Sequence, residues 1–119
     1  MEIFNHKEIE SEKFYTVKSK EDIKKTPPNS IVMFDFDFKL CKYAKEQNLR
    51  FAIKVNDIKE VVFANSLNAS YILVDKPLSQ DAQKTADNYM FDSKILLQSE
   101  SEGDIEFCAL NGIDGIFFR

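Results

Sequence analysis

The sequence predicts an α/β fold: about six parallel strands alternating with helices, in an incomplete (β/α)-barrel-like sheet. Three observations lead there. Strand-like segments open at Phe14, Ile31, Phe51, Tyr71, Lys94 and Gly115, about 20 residues apart, with a helical pattern between successive ones. The strands divide their residues between an apolar face and one that turns polar toward the C-terminal end. The chain's 119 residues make one domain, short of the roughly 200 that a complete eight-stranded barrel uses.

Each element has a local reason. Met1–Lys13 shows no clean period and reads as a loose N-terminal arm. Phe14–Val17 is a short strand. Ser19-Lys20-Glu21-Asp22 is a capping box with Asp22 in place of the usual Glu, and the short helix it opens must stop before Pro27-Pro28. Ile31–Phe38 is the second strand and ends in the alternation Phe34-Asp35-Phe36-Asp37-Phe38. The helix Lys39–Asn48 carries Leu40, Tyr43, Ala44 and Gln47 on one side. Phe51–Asn56 is the third strand, and Asn56 or Asp57 caps a helix with the stripe Ile58, Val61, Val62 and Asn65. Tyr71–Asp75 is the fourth strand. Pro77 suits the start of the next helix, whose inner face is Leu78, Ala82, Thr85, Ala86 and Tyr89. Lys94–Gln98 is the fifth strand. The helix Glu102–Asn111 turns Ile105, Cys108 and Ala109 inward and ends at Gly112, and Gly115–Phe118 is the sixth strand.

Alternating strands and helices imply right-handed crossovers between parallel strands. The choice between winding patterns rests on the two strand faces. One face carries Phe34, Phe36, Phe51, Ile53, Val55, Ile72, Val74, Ile95, Leu97, Ile116 and Phe118. The other begins apolar, with Ile31, Met33, Ala52, Leu73, Leu96 and Phe117, and becomes polar at the strand ends. A sheet with helices on both faces needs central strands that are apolar on both sides. A face that grades from apolar to polar is how a barrel interior behaves. A flavodoxin-like, doubly wound sheet is the alternative.

Sixteen Lys and Arg against twenty Asp and Glu leave a net charge of −4, with no basic stripe to neutralise phosphates, so a nucleic-acid partner is not expected. The Lys residues, Lys18 and Lys20 among them, are interleaved with acids and read as solvated surface. Cys41 and Cys108 fall in helical patterns, lack metal or disulfide spacing, and read as small buried hydrophobes. The only histidine, His6, lies in the polar arm, which argues against a His-based triad or metal cluster. The polar first residues do not resemble a signal peptide and no apolar run spans a membrane, so a cytoplasmic, soluble protein is expected.

The polar strand ends supply the candidate site: Asp35, Asp37, Lys54, Asn56, Asp75, Gln98 and Arg119. Asp35 and Asp37 point the same way on an extended strand, about 6.5–7 Å apart, and could act as an acid–base pair. A lysine inside a barrel is what imine chemistry requires, so Lys54 joins them as a catalytic candidate. The competing reading pairs Lys54 with Asp35, because an interior carboxylate is costly unless paired, and makes Asp37 a cap of the following loop. Asn56, Asp75, Gln98 and Arg119 are ligand-binding candidates, with capping or turn roles open to Asn56 and Asp75.

Two stretches carry family resemblances. Asn65–Asp75 and Ser93–Arg119, with the latter's Glu, Ala and "Gly-Ile-Asp-Gly-Ile-Phe-Phe" ending, resemble (β/α)-barrel enzymes of the ketodeoxy-phosphogluconate aldolase and phosphate-binding-barrel kind. The resemblance implies a barrel with a phosphate site. The lysine it implies near Ile116 and Phe117 is absent, as are glycine-rich phosphate loops. Asp35-Phe36-Asp37-Phe38-Lys39-Leu40 resembles the first motif of haloacid-dehalogenase-type phosphatases, which implies a nucleophilic Asp35, an acid Asp37 and a divalent cation. Lys39 departs from that motif, and the later Gly-Asp-x-x-x-Asp motif is missing.

The expected function is a small-molecule or anion site at the C-terminal strand ends. The alternatives are a non-catalytic structural or interaction module, for instance a homodimer that completes the barrel, and a metal-dependent phosphatase-like enzyme. No pattern names a cofactor.

Overall fold

Every pair of neighbouring strands is parallel in the computed structural model, which describes residues 1–119. The elements run β1 (Glu2–Phe4), β2 (Phe14–Thr16), α1 (Lys20–Lys24), β3 (Ile31–Asp35), α2 (Phe38–Glu46), β4 (Arg50–Lys54), α3 (Ile58–Ser66), β5 (Tyr71–Val74), α4 (Lys76–Asn88), β6 (Lys94–Ser99), α5 (Asp104–Leu110) and β7 (Gly115–Phe118). The caps follow the local chemistry. Ser19 accepts from the Asp22 N–H, Asp37 from Lys39 and Leu40, and Asp57 from Glu60. Gly112 takes the positive φ of 65° that suits the residue after a helix end.

The sheet order is β1-β7-β6-β5-β4-β3-β2. From β2 to β7 each strand lies beside its predecessor, and each crossover contains one helix. Successive crossovers of one hand, all advancing in one direction, place every helix on the same side. The buried clusters agree. Ile23, Leu40, Cys41, Ala44, Val61, Ala64, Ala82, Ala86 and Cys108 from the five helices pack with Phe34, Phe51, Ile53, Ile72, Ile95, Leu97 and Ile116 on the outer face. The inner cluster, Phe4, Phe14, Ile31, Ala52, Leu73, Leu96 and Phe117, is drawn from strands alone. A doubly wound sheet reverses its order at a switch point. This one has no reversal, so its topology is that of the incomplete barrel.

The sheet curls strongly. β1 and β2 are its two edges, and if it were flat, six spacings of about 4.8 Å would hold them roughly 29 Å apart. The rings of Phe4 and Phe14, one on each edge, have centroids 4.8 Å apart. Tyr71, on the middle strand, meets both, at 5.1 and 5.2 Å. The edges are not paired to each other, so the barrel stays incomplete. The connection Asn5–Lys13 joins them without a helix. Asn5 Nδ2 donates to the Phe118 carbonyl at 2.6 Å, and Arg50 donates to Glu12 at 2.9 Å.

Two segments differ from expectation. Residues 1–13 are not simply a loose arm, because Glu2–Phe4 pair with β7 as a seventh strand. Three residues are too few to show a period, so only the partner strand reveals this one. The second strand stops at Asp35 rather than Phe38, because the Asp37 carboxylate caps a helix that begins at Phe38.

Candidate functional site

The barrel interior is filled in layers. Near the N-terminal ends Tyr71 lies 3.4 Å from Glu2 Oε2, and burial, with the carboxylate of Glu2 beside it, raises its phenol above the usual range. The rings of Phe4, Phe14 and Phe117 close the middle, with Phe14 stacked on Phe117 at 5.2 Å. These buried rings fill the interior between the two ends of the strands. A hollow of about 720 Å³ at the N-terminal end is lined mainly by the turns that lead into β5 and β6, together with Arg50, which Glu12 already holds. At the C-terminal end, where barrels and open parallel sheets bind ligands, lies a cavity of about 550 Å³.

Five of the seven sequence-derived candidates line that mouth: Asp35, Asp37, Lys54, Gln98 and Arg119. The period of two explains their convergence. Four of them follow an inward-facing apolar residue by two positions: Asp35 follows Met33, Lys54 follows Ala52, Gln98 follows Leu96 and Arg119 follows Phe117, while Asp37 reaches the mouth as the cap of α2. Asp75 stands beside the mouth and binds Lys54. Asn56 is not among the lining residues. It is exposed, and its backbone N–H donates to Glu60 Oε1 at 2.8 Å at the start of α3.

The partners separate scaffold from site. Lys54 Nζ donates to Asp75 Oδ1 at 2.6 Å, with the lysine side chain only 17 % exposed. The expected Lys54–Asp35 ion pair does not form, although those residues are register partners. Asp37 Oδ1 accepts the Lys39 and Leu40 N–H groups at 2.8 and 3.1 Å, which assigns it the capping role. The Asp35 carboxylate is exposed and has neither hydrogen bond nor ion pair within the chain. The Gln98 amide is half-buried at the mouth. Arg119 has only a loose ion pair, Nε to Glu100 Oε1 at 3.7 Å.

Sequence reasoning placed Lys18 among the solvated lysines, yet it lines the same cavity, as does Thr16. The signal was available: Phe14, Thr16 and Lys18 continue one parity, and Thr16 pairs in register with Met33. A three-residue edge strand makes that parity hard to read. No three His, Cys, Asp or Glu side chains gather closely enough to hold a metal ion. Cys41 and Cys108 are buried in the outer core, and desolvation pushes both thiols up to about 11. No helix is long and apolar enough to cross a membrane.

The mouth therefore offers two cations with free hydrogen-bond donors, Lys18 and Arg119, one free carboxylate and one free amide, around a rim stiffened by the Lys54–Asp75 pair and the Asp37 cap. This set can hold a small charged molecule. No protein-family model matches the chain, and no curated protein matches its sequence.

Proposed function

We propose that the chain binds a small anionic molecule at the C-terminal mouth of its incomplete barrel. One observation carries the reading: Lys18 and Arg119, from opposite ends of the strand series β2–β7, line one cavity with the Gln98 amide between the strand ends. Guanidinium and ammonium groups that are not engaged by close carboxylates are available for charge-assisted hydrogen bonds to a ligand. Binding, rather than catalysis, is the better fit. Two of the three residues expected to react, Asp37 and Lys54, are held by a helix end and by Asp75.

A thermal-shift screen of carboxylates, phosphorylated sugars and nucleotides tests this. A ligand of this class raises the melting temperature of the native chain. Arg119→Ala and Lys18→Ala reduce that rise and leave the unliganded melting temperature unchanged, since both residues are exposed. If neither substitution alters the response to any hit, the mouth is not the site.

A protein-interaction module is the second reading. Phe38 and Phe63, 46 % and 37 % exposed, form one cluster with Phe36, and Val62 nearby is 42 % exposed. Light scattering on Phe38→Ser and Phe63→Ser variants tests it. Loss of a concentration-dependent mass favours an interaction surface.

A further inference from the structure

We propose that the anion bound at the mouth also carries an ammonium group, so that the site takes a small amino acid zwitterion. The inference rests on the reading of the mouth as an anion site and adds the ligand's second charge. It comes from Asp35. That residue lies one register step beyond the apolar interior, and its carboxylate lines the same cavity as Lys18 and Arg119. Its two flanking cations leave it alone: Lys54 turns to Asp75, and Lys18 makes no ion pair with it. A free carboxylate in a site for a plain anion repels the ligand. A ligand that bears an ammonium group turns the repulsion into a charge-assisted hydrogen bond.

The placement of the groups fits separated charges. Asp35 ends β3, whereas Arg119 follows β7 and Gln98 lies on β6, four and three strands away across the mouth. A molecule with a negative group toward Arg119 and a positive group toward Asp35 matches the two walls, with Lys18, at the end of the neighbouring strand β2, on the Asp35 side. The Gln98 amide, both donor and acceptor, lines the cavity on the Arg119 side. An α-amino acid is the smallest common molecule with that pattern, and a cavity of about 550 Å³ accommodates one with its side chain.

The test is calorimetric titration of the full chain with glycine, alanine and glutamate, and with their amine-free counterparts acetate, propionate and glutarate. At least one amino acid binds about tenfold more tightly than its counterpart, a gap of about 1.4 kcal/mol. Asp35→Asn and Asp35→Ser remove that preference and leave, or strengthen, binding of the amine-free acid. Their unliganded melting temperatures stay at the native value because Asp35 has no partner to lose. Equal binding of the paired acids, with Asp35→Asn strengthening both, overturns the zwitterion and leaves the anion site standing. Absence of binding by every probe, inorganic phosphate included, overturns the zwitterion and removes the support for the anion site with it.

Discussion

Lys54 Nζ donates to Oδ1 of Asp75 at 2.6 Å, across to the end of the next strand, and leaves its own register partner Asp35 free. This one choice of partner separates scaffold from site at the mouth. The lysine stem is largely buried while Asp75 is 58 % exposed, so water screens part of the attraction. In a double-mutant cycle with Lys54→Met and Asp75→Asn, urea denaturation will give a coupling of about 0.5–1 kcal/mol. A coupling near zero would show that the pair contributes nothing in solution.

Asp37 caps α2 through two backbone N–H groups, and its removal acts on stability. Asp37→Ala will lower stability by about 1 kcal/mol, and Asp37→Asn, which keeps an acceptor oxygen, by only a few tenths. The response to mouth ligands stays at the native level in both. Loss of that response at unchanged stability would return Asp37 to the functional set.

Gly115 sets how closely β1 approaches β7. A Cβ there would stand 2.6 Å from the Glu2 carbonyl oxygen and 2.8 Å from Leu96 Cδ2, and the first of these is backbone. Gly115→Ala will therefore destabilise the protein by about 1–3 kcal/mol. Hydrogen exchange will show lost protection at the Glu2–Phe4 amides in particular. Native protection there would mean that β1 tolerates the added methyl group.

Asp104 supplies the acid dependence. The Ser99 hydroxyl, at 2.6 Å, and then Lys76, at 3.0 Å, hold its carboxyl below the ordinary carboxylate range. A carboxyl with a folded pKa below its unfolded value contributes stability above about pH 4, and that contribution is lost as pH falls through the folded value. Asp104→Asn will flatten the fall in melting temperature on acidification below about pH 4 and lower stability at pH 7. A parallel acid slope in the variant would remove Asp104 from the account.

Much of this was legible in the chain. Ser19, Asp57 and Gly112 mark helix ends by chemistry that acts over a few residues, and the structure uses each of them. The two strand faces were also legible, because side chains alternate with period two whatever the strand's neighbours. Residues read as helix-covered, such as Ile53, Ile72 and Ile95, form the outer core, and Ala52, Leu73 and Leu96 form the inner one. The elements that failed are short or depend on distant partners. β1 is three residues long and exists because β7 offers it a ladder. Tyr89, assigned to a buried helix face by its spacing, is 76 % exposed, while Ser79 and Gln83 are buried in the same helix.

The sequence by itself determined the alternation of strands and helices, the face that would be covered and the strand ends where charge collects. These follow from backbone periodicity and from capping within a few residues. Only the tertiary structure decided how far the sheet curls, that Phe4 and Phe14 meet across its open edges, and which charged neighbour each mouth residue takes. A flexible lysine among several carboxylates has choices that spacing cannot rank. The direction in which Lys54 leans toward Asp75 is set once the strands are in register, and that direction leaves Asp35 free beside Lys18 and Arg119.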